Sequence, residues 1–180
     1  MNVLLIIDMQ EASFSRADKH DAAGVVDRIN RLSDYVRRHN GRVIFVQHDG
    51  TGDEGLLPHS PGWMILASLS RHDTDIVVRK TINDAFFETE LHRILSDLNT
   101  DNLIVSGWAT DLCVDTTIRA AVSLGHRIVA AADCHTVADR PHLNAAEVIR
   151  HHNWVWQNLL TSGDPVRVSP LSEILASDDL

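Results

Sequence analysis

The chain has 180 residues, 44% of them hydrophobic, a formal net charge of −9 and two cysteines. That size suits one domain with a single large core, taken here as residues 1–180, and the composition excludes a disordered or fibrous chain. The acidic balance argues against nucleic acid and anionic membrane as partners, and two cysteines make no disulfide framework.

Val3–Ile7 is a continuous aliphatic run ending in Asp8, the pattern of a strand covered on both faces. It lacks the basic leader and the length of a signal or membrane segment, so a cytoplasmic location is expected. Residues 21–39 put Ala22, Val25, Val26, Ile29, Leu32, Tyr35 and Val36 on one helical stripe, stopped by Asn40-Gly41. Val43–Val46 reads as a second strand. From His48 to about His72 the chain is irregular and rich in Gly and Pro, a loop long enough to be functional or interfacial. Ile76–Val78 is a third strand running into Arg79-Lys80, and residues 87–98 carry Phe87, Leu91, Ile94, Leu95 and Leu98 at helical spacing. Leu103–Val105 is a fourth strand, followed by a helix that holds Cys113 and ends at Gly125. Ile128–Ala132 is a fifth, ending at Asp133. Asn144 with Glu147 predicts a capping-box start for a helix reaching Leu160. Residues 166–168 predict a sixth, edge strand before a short last helix.

Strand and helix alternate, and each strand is aliphatic on both faces. This predicts an α/β fold, three layers α/β/α around a central, mostly parallel sheet. Ligands in such folds bind beyond the carboxyl ends of the strands. Asp8, His48, Lys80, Gly107–Cys113 and Asp133 are expected at that edge.

Three reactive side chains stand out there. Cys113 follows a strand and a glycine at the start of a helix, where the helix dipole would lower its pKa and favour the thiolate. Asp8 can serve as its base if held close and partly desolvated, and Lys80 supplies the cation a buried carboxylate needs. Each has a plainer alternative: core filler for Cys113, a turn cap for Asp8, a solvated strand end for Lys80.

With these residues in place, the chain resembles the isochorismatase-like cysteine hydrolase superfamily, which includes nicotinamidases and N-carbamoylsarcosine amidohydrolase. The resemblance runs from Leu4 to about Leu160. It rests on Leu5-Ile6-Ile7-Asp8-Met9-Gln10, on Arg79-Lys80 followed by Asn83-Asp84-Ala85-Phe86, and on Gly107-Trp108-Ala109-Thr110-Asp111-Leu112-Cys113-Val114. It implies a triad with Cys113 as nucleophile, Asp8 as general base and later acid, and Lys80 holding Asp8. It also implies a cis peptide before Ala109 and an oxyanion hole made by the N–H groups of Ala109 and Cys113. The expected reaction is cleavage of a small molecule's amide, ureido or carbamoyl C–N bond through a thioester. A vinyl-ether hydrolase, or a member that binds a small molecule without turnover, are the alternatives.

Phe14, Trp63, Phe86 and Trp108 are candidates for an aromatic pocket wall, with Gln10, His48, Asn83 and Thr110 as polar substrate contacts. Trp63 and Phe87 suit core or interface equally well, and Trp154 and Trp156 suit core or subunit packing. The Asp-x-His metal pair of nicotinamidases is absent from Val46-Gln47-His48-Asp49-Gly50, so no metal and no cofactor are expected. His151-His152 reads as a solvated or interface pair. A phospho-receiver would need an acidic pair after the first strand, where Met9 and Gln10 stand, and no Gly-rich phosphate loop follows any strand. The resemblance implies a homodimer or larger homo-oligomer acting on a small-molecule substrate.

Overall fold

In the computed structural model, which describes residues 1–177, the aliphatic runs become six strands: β1 (Asn2–Ile7), β2 (Arg42–His48), β3 (Ile76–Lys80), β4 (Asn102–Trp108), β5 (Ile128–Thr136) and β6 (Arg167–Ser169). Six α-helices join them: α1 (Glu11–Ser15), α2 (Ala22–Arg38), α3 (Leu91–Asp97), α4 (Asp115–Ser123), α5 (Ala145–Gln157) and α6 (Leu171–Ala176). All strand pairs are parallel, in the order β3-β2-β1-β4-β5-β6. No helix among the described residues is long and apolar enough to cross a membrane.

The continuous aliphatic runs follow from the two covered faces. Leu4, Ile6, Val43, Phe45, Ile104 and Val129 point to one side and pack under α2 and α6. Their neighbours Val3, Leu5, Ile7, Ile44, Val46, Leu103, Val105 and Ile128 point to the other, under α3, α4 and α5. A side-chain period of two on a strand buried twice leaves little room for polar residues. Ser106, inside β4, is accommodated by donating its hydroxyl to the Leu5 carbonyl at 2.9 Å, and the ionisable pair Asp8 and Lys80 stands at strand ends.

Strand order reverses direction between β1 and β4. Chain growth goes outward from β1 through β2 to β3, then returns to the other side of β1 at β4. Such a switch point opens a crevice at the carboxyl ends of the two strands. Asp8 leaves β1 there with φ 49°, and the segment carrying Cys113 leaves β4. Gly107 makes this approach possible: it pairs with Ile7, its φ is 116°, and a Cβ on it would collide with the Ile7 backbone.

Three expectations need correction. The third helix starts at Leu91, not at residue 87, because Glu88 takes a left-handed φ of 53° and Thr89 caps the Leu91 N–H through Oγ1; Phe87 is left half-exposed in the preceding turn. The helix of Cys113 opens with a wide π-helical turn, Thr110–Val114, before α4. Asp133 does not reach the site edge. β5 runs on to Thr136, and Asp133 turns aside, its Oδ1 accepting from the Leu171 N–H at 2.8 Å and its carbonyl from Arg28 Nε at 2.6 Å. Elsewhere the Asn144–Glu147 capping box is formed in full.

Candidate active site

Lys80 is the last residue of β3, and its side chain is buried together with that of Asp8. Its ammonium has three donors and finds three acceptors: Asp8 Oδ2 at 2.6 Å, the Ile82 carbonyl at 2.9 Å and Cys113 Sγ at 3.4 Å. A buried ammonium so satisfied can stay charged. It fixes one carboxylate oxygen of Asp8. The other, Oδ1, is buried and has no hydrogen-bond partner among the described residues. An unpaired carboxylate oxygen in a dry site is costly, and it is also a free base.

Burial raises the Asp8 pKa, opposed by the Lys80 charge and by the nearby Cys113 thiol. The thiol lies close enough to interact with the carboxylate but is not aligned on it; it donates to Asn83 Oδ1 at 3.4 Å. Burial first, and then the Asp8 charge, push the Cys113 pKa up to about 12, with Lys80 pulling the other way. This reverses the lowering expected from the helix dipole, because desolvation of the anion outweighs the dipole here. Both acids are thus harder to ionise than in water, with the Lys80 cation opposing burial at each.

The Trp108–Ala109 peptide is cis, and Ala109 is buried with its carbonyl accepting from Leu112 and Val114. The π-helical turn is pinned from one side by Arg140, which bonds both carboxylate oxygens of Asp111 at 2.6 and 2.7 Å.

The expected substrate contacts divide. His48 closes β2 in register with Lys80; its half-buried ring has Nδ1 without a partner among the described residues, and burial followed by Lys80 lowers its pKa. Asn83 meets the thiol directly. Trp108 and Phe14 stand with ring centres 5.9 Å apart, and the Lys19 ammonium lies 4.5 Å from the Trp108 ring centre.

Four others are committed elsewhere. Gln10 donates its amide to the carbonyls of His48 and Trp63 and accepts from the His48 N–H, so it clamps the loop to β2. Trp63 is held by that clamp, donates Nε1–H to Asp49 at 2.8 Å and lies under the Arg79 guanidinium. Phe86 stacks on His126, beyond the end of α4. Thr110 is fully buried, its hydroxyl 2.8 Å from His135 Nδ1.

Sequence reasoning missed the Ile82 carbonyl, the Lys19–Trp108 contact, the Asp111–Arg140 clamp and His135. A backbone carbonyl leaves no mark in a sequence. His135 did leave one: a histidine at the end of an aliphatic strand. Among the described residues no three His, Cys, Asp or Glu side chains converge on a metal-sized site, and His59 turns to stack on Trp63.

The family model for the isochorismatase domain matches residues 2–158. A streptothricin hydrolase of Streptomyces noursei is 35% identical over 142 residues, 78% of this chain and 51% of its own length. A ureidoacrylate amidohydrolase of Stutzerimonas stutzeri is 27% identical, covering 72% of this chain and 67% of its own. This chain therefore spans about half the length of the streptothricin hydrolase it matches. Among solved structures, the crystal structure of an isochorismatase family protein superposes with a TM-score of 0.84 at 33% identity, covering 93% of this chain and 96% of that one.

Proposed function

Because the chain belongs to the isochorismatase family, we propose that it is a cysteine hydrolase that cleaves the C–N bond of a small amide, ureido or carbamoyl compound. The observation that carries this reading is the Asp8 carboxylate: one oxygen locked by Lys80, the other buried, unpartnered and beside a thiol that is still protonated. That is a base waiting for a proton. The names of the two relatives, a streptothricin hydrolase and a ureidoacrylate amidohydrolase, point the same way.

In the proposed mechanism Asp8 Oδ1 takes the thiol proton as Sγ attacks the substrate carbonyl carbon. The Sγ–C bond forms and the carbonyl π pair moves onto oxygen. The N–H groups of Ala109 and Cys113 receive that oxyanion; a well-placed donor of this kind is worth about 3–4 kcal/mol. The tetrahedral centre collapses, the C–N bond breaks, and protonated Asp8 returns its proton to the departing nitrogen. Water then gives a proton to Asp8 and attacks the thioester. Collapse expels the Cys113 sulfur, which recovers its proton from Asp8. Lys80 remains cationic throughout and keeps Asp8 ionised between proton transfers.

His48, with its free Nδ1, and the Trp108–Phe14 pair are proposed to flank the substrate. The test is a screen of small amides, ureas and ureido acids for ammonia or amine release, with Cys113→Ala alongside. We expect release by the unaltered chain and its complete loss in Cys113→Ala, with the melting temperature unchanged. Full hydrolysis by Cys113→Ala would end the proposal. Release of pyruvate-type products from vinyl ethers, with no amide cleaved, would replace it by the vinyl-ether reading.

A further inference from the structure

We propose that His135 is a positioning residue for the oxyanion hole, acting through the Thr110 hydroxyl to fix the turn that carries Ala109 and Cys113. The inference rests on the reading of Cys113 as nucleophile given above, and it assigns a task to a buried titratable side chain that the mechanism does not use.

The hydrogen bonds around His135 have only one consistent polarity. Asn153 donates Nδ2–H to the Ala132 carbonyl at 3.0 Å, which settles which way its amide faces. Its Oδ1 therefore points to His135 Nε2, 3.0 Å away, and can only accept. Nε2 must carry the proton. Nδ1 is then a bare acceptor, and the Thr110 hydroxyl 2.8 Å away must be the donor. Burial lowers the His135 pKa to about 4, so the neutral ring this chain of bonds requires persists at neutral pH. The ring edge meets Trp156, whose indole Nε1–H donates in turn to Asp115, the first residue of α4. One block of β5 and α5 side chains thus holds the helix of Cys113 at two points, on either side of the thiol.

The sheet is built to deliver this ring. Between the Val105–Ala130 and Gly107–His135 pairs, β4 advances two residues and β5 advances five. The extra residues of β5 are taken up as an irregularity in the pairing, and His135 lands opposite Gly107 with Thr136 opposite Trp108. Bulges re-aim side chains at such places. A histidine serving only as filler would not need its tautomer set from a helix on its far side. Thr110 directly follows Ala109, so a shift of its hydroxyl is passed on to the Ala109 N–H. Misplacing such a donor by about 1 Å can cost about 100-fold in rate.

The experiment reads the oxyanion hole without needing the natural substrate. Iodoacetamide alkylates Cys113 by displacement at carbon and uses no oxyanion donor; its rate is followed by intact mass. Propionaldehyde adds to the same sulfur: the Sγ–C bond forms, the carbonyl π pair moves to oxygen, and the thiol proton ends on that oxygen. Its affinity, measured as protection from alkylation, depends on the donors. In Thr110→Val we expect aldehyde affinity to fall about 10- to 100-fold while the alkylation rate stays within about 3-fold, and Thr110→Ser to recover most of the loss. Asn153→Leu, on the half-buried surface of α5, frees the tautomer without touching the turn and is expected to lose about 3- to 10-fold in aldehyde affinity. Equal aldehyde affinity in the unaltered chain, Thr110→Val and Asn153→Leu overturns the inference. If Cys113 in the unaltered chain neither alkylates ahead of the buried Cys134 nor takes up the aldehyde, the reading of Cys113 as nucleophile falls first.

Discussion

The distance that matters most at the scale of single residues is the 2.6 Å between Lys80 Nζ and Asp8 Oδ2. Both groups are buried, so removing the cation leaves a carboxylate that cannot remain charged. We expect Lys80→Met to lose activity and about 3–5 kcal/mol of stability in urea unfolding, the usual cost of breaking one side of a buried pair. Asp8 must be ionised to accept the thiol proton, and burial raises its pKa. Activity is therefore lost as pH falls through that raised value. The acid limb of kcat/KM should lie above 3.8, the ordinary value for an aspartate. A limb at or below it would mean that some other group is the base. Asp8, Lys80 and Cys113 could be picked out in the sequence because each reactive type ends or follows a strand. Their electrostatics could not, since the upward shift of Cys113 comes from burial by residues distant in the chain.

Among the elements, the β1–β4 junction and α5 are the most exacting. Gly107→Ala should prevent folding or cut expression sharply, as its φ of 116° and the Ile7 backbone leave no room for a methyl group. On α5, Trp154 and Trp156 were indistinguishable in sequence, both suiting core or subunit packing. They separate by two residues of helix rotation: Trp156 is fully buried and Trp154 is 63% exposed. Trp156→Ala should cost about 3–5 kcal/mol in urea unfolding, and Trp154→Ala less than about 0.5 kcal/mol in the isolated protomer. Strand and helix order was legible because both sheet faces are covered and aliphatic runs have few other uses. The insertion in β5 was not. It depends on the pairing register with β4, which carried Asp133 away from the site edge and brought His135 toward it.

Taken as a whole molecule, the chain carries a formal net charge of −9 and gathers Asp8, Lys80 and Cys113 where strand order reverses. Four of the eight expected substrate contacts, Gln10, Trp63, Phe86 and Thr110, have side chains engaged within the protein. Polar and aromatic side chains near a motif are needed as much to hold its loops as to meet a ligand, and the sequence does not distinguish the two uses. The most direct measurement is acid quenching during turnover of a cleaved amide, followed by mass spectrometry of the peptide bearing Cys113. An acyl group on Cys113, absent in Cys113→Ala together with all turnover, is the expected result. Steady hydrolysis with Cys113 unmodified, and undiminished in Cys113→Ala, would contradict it.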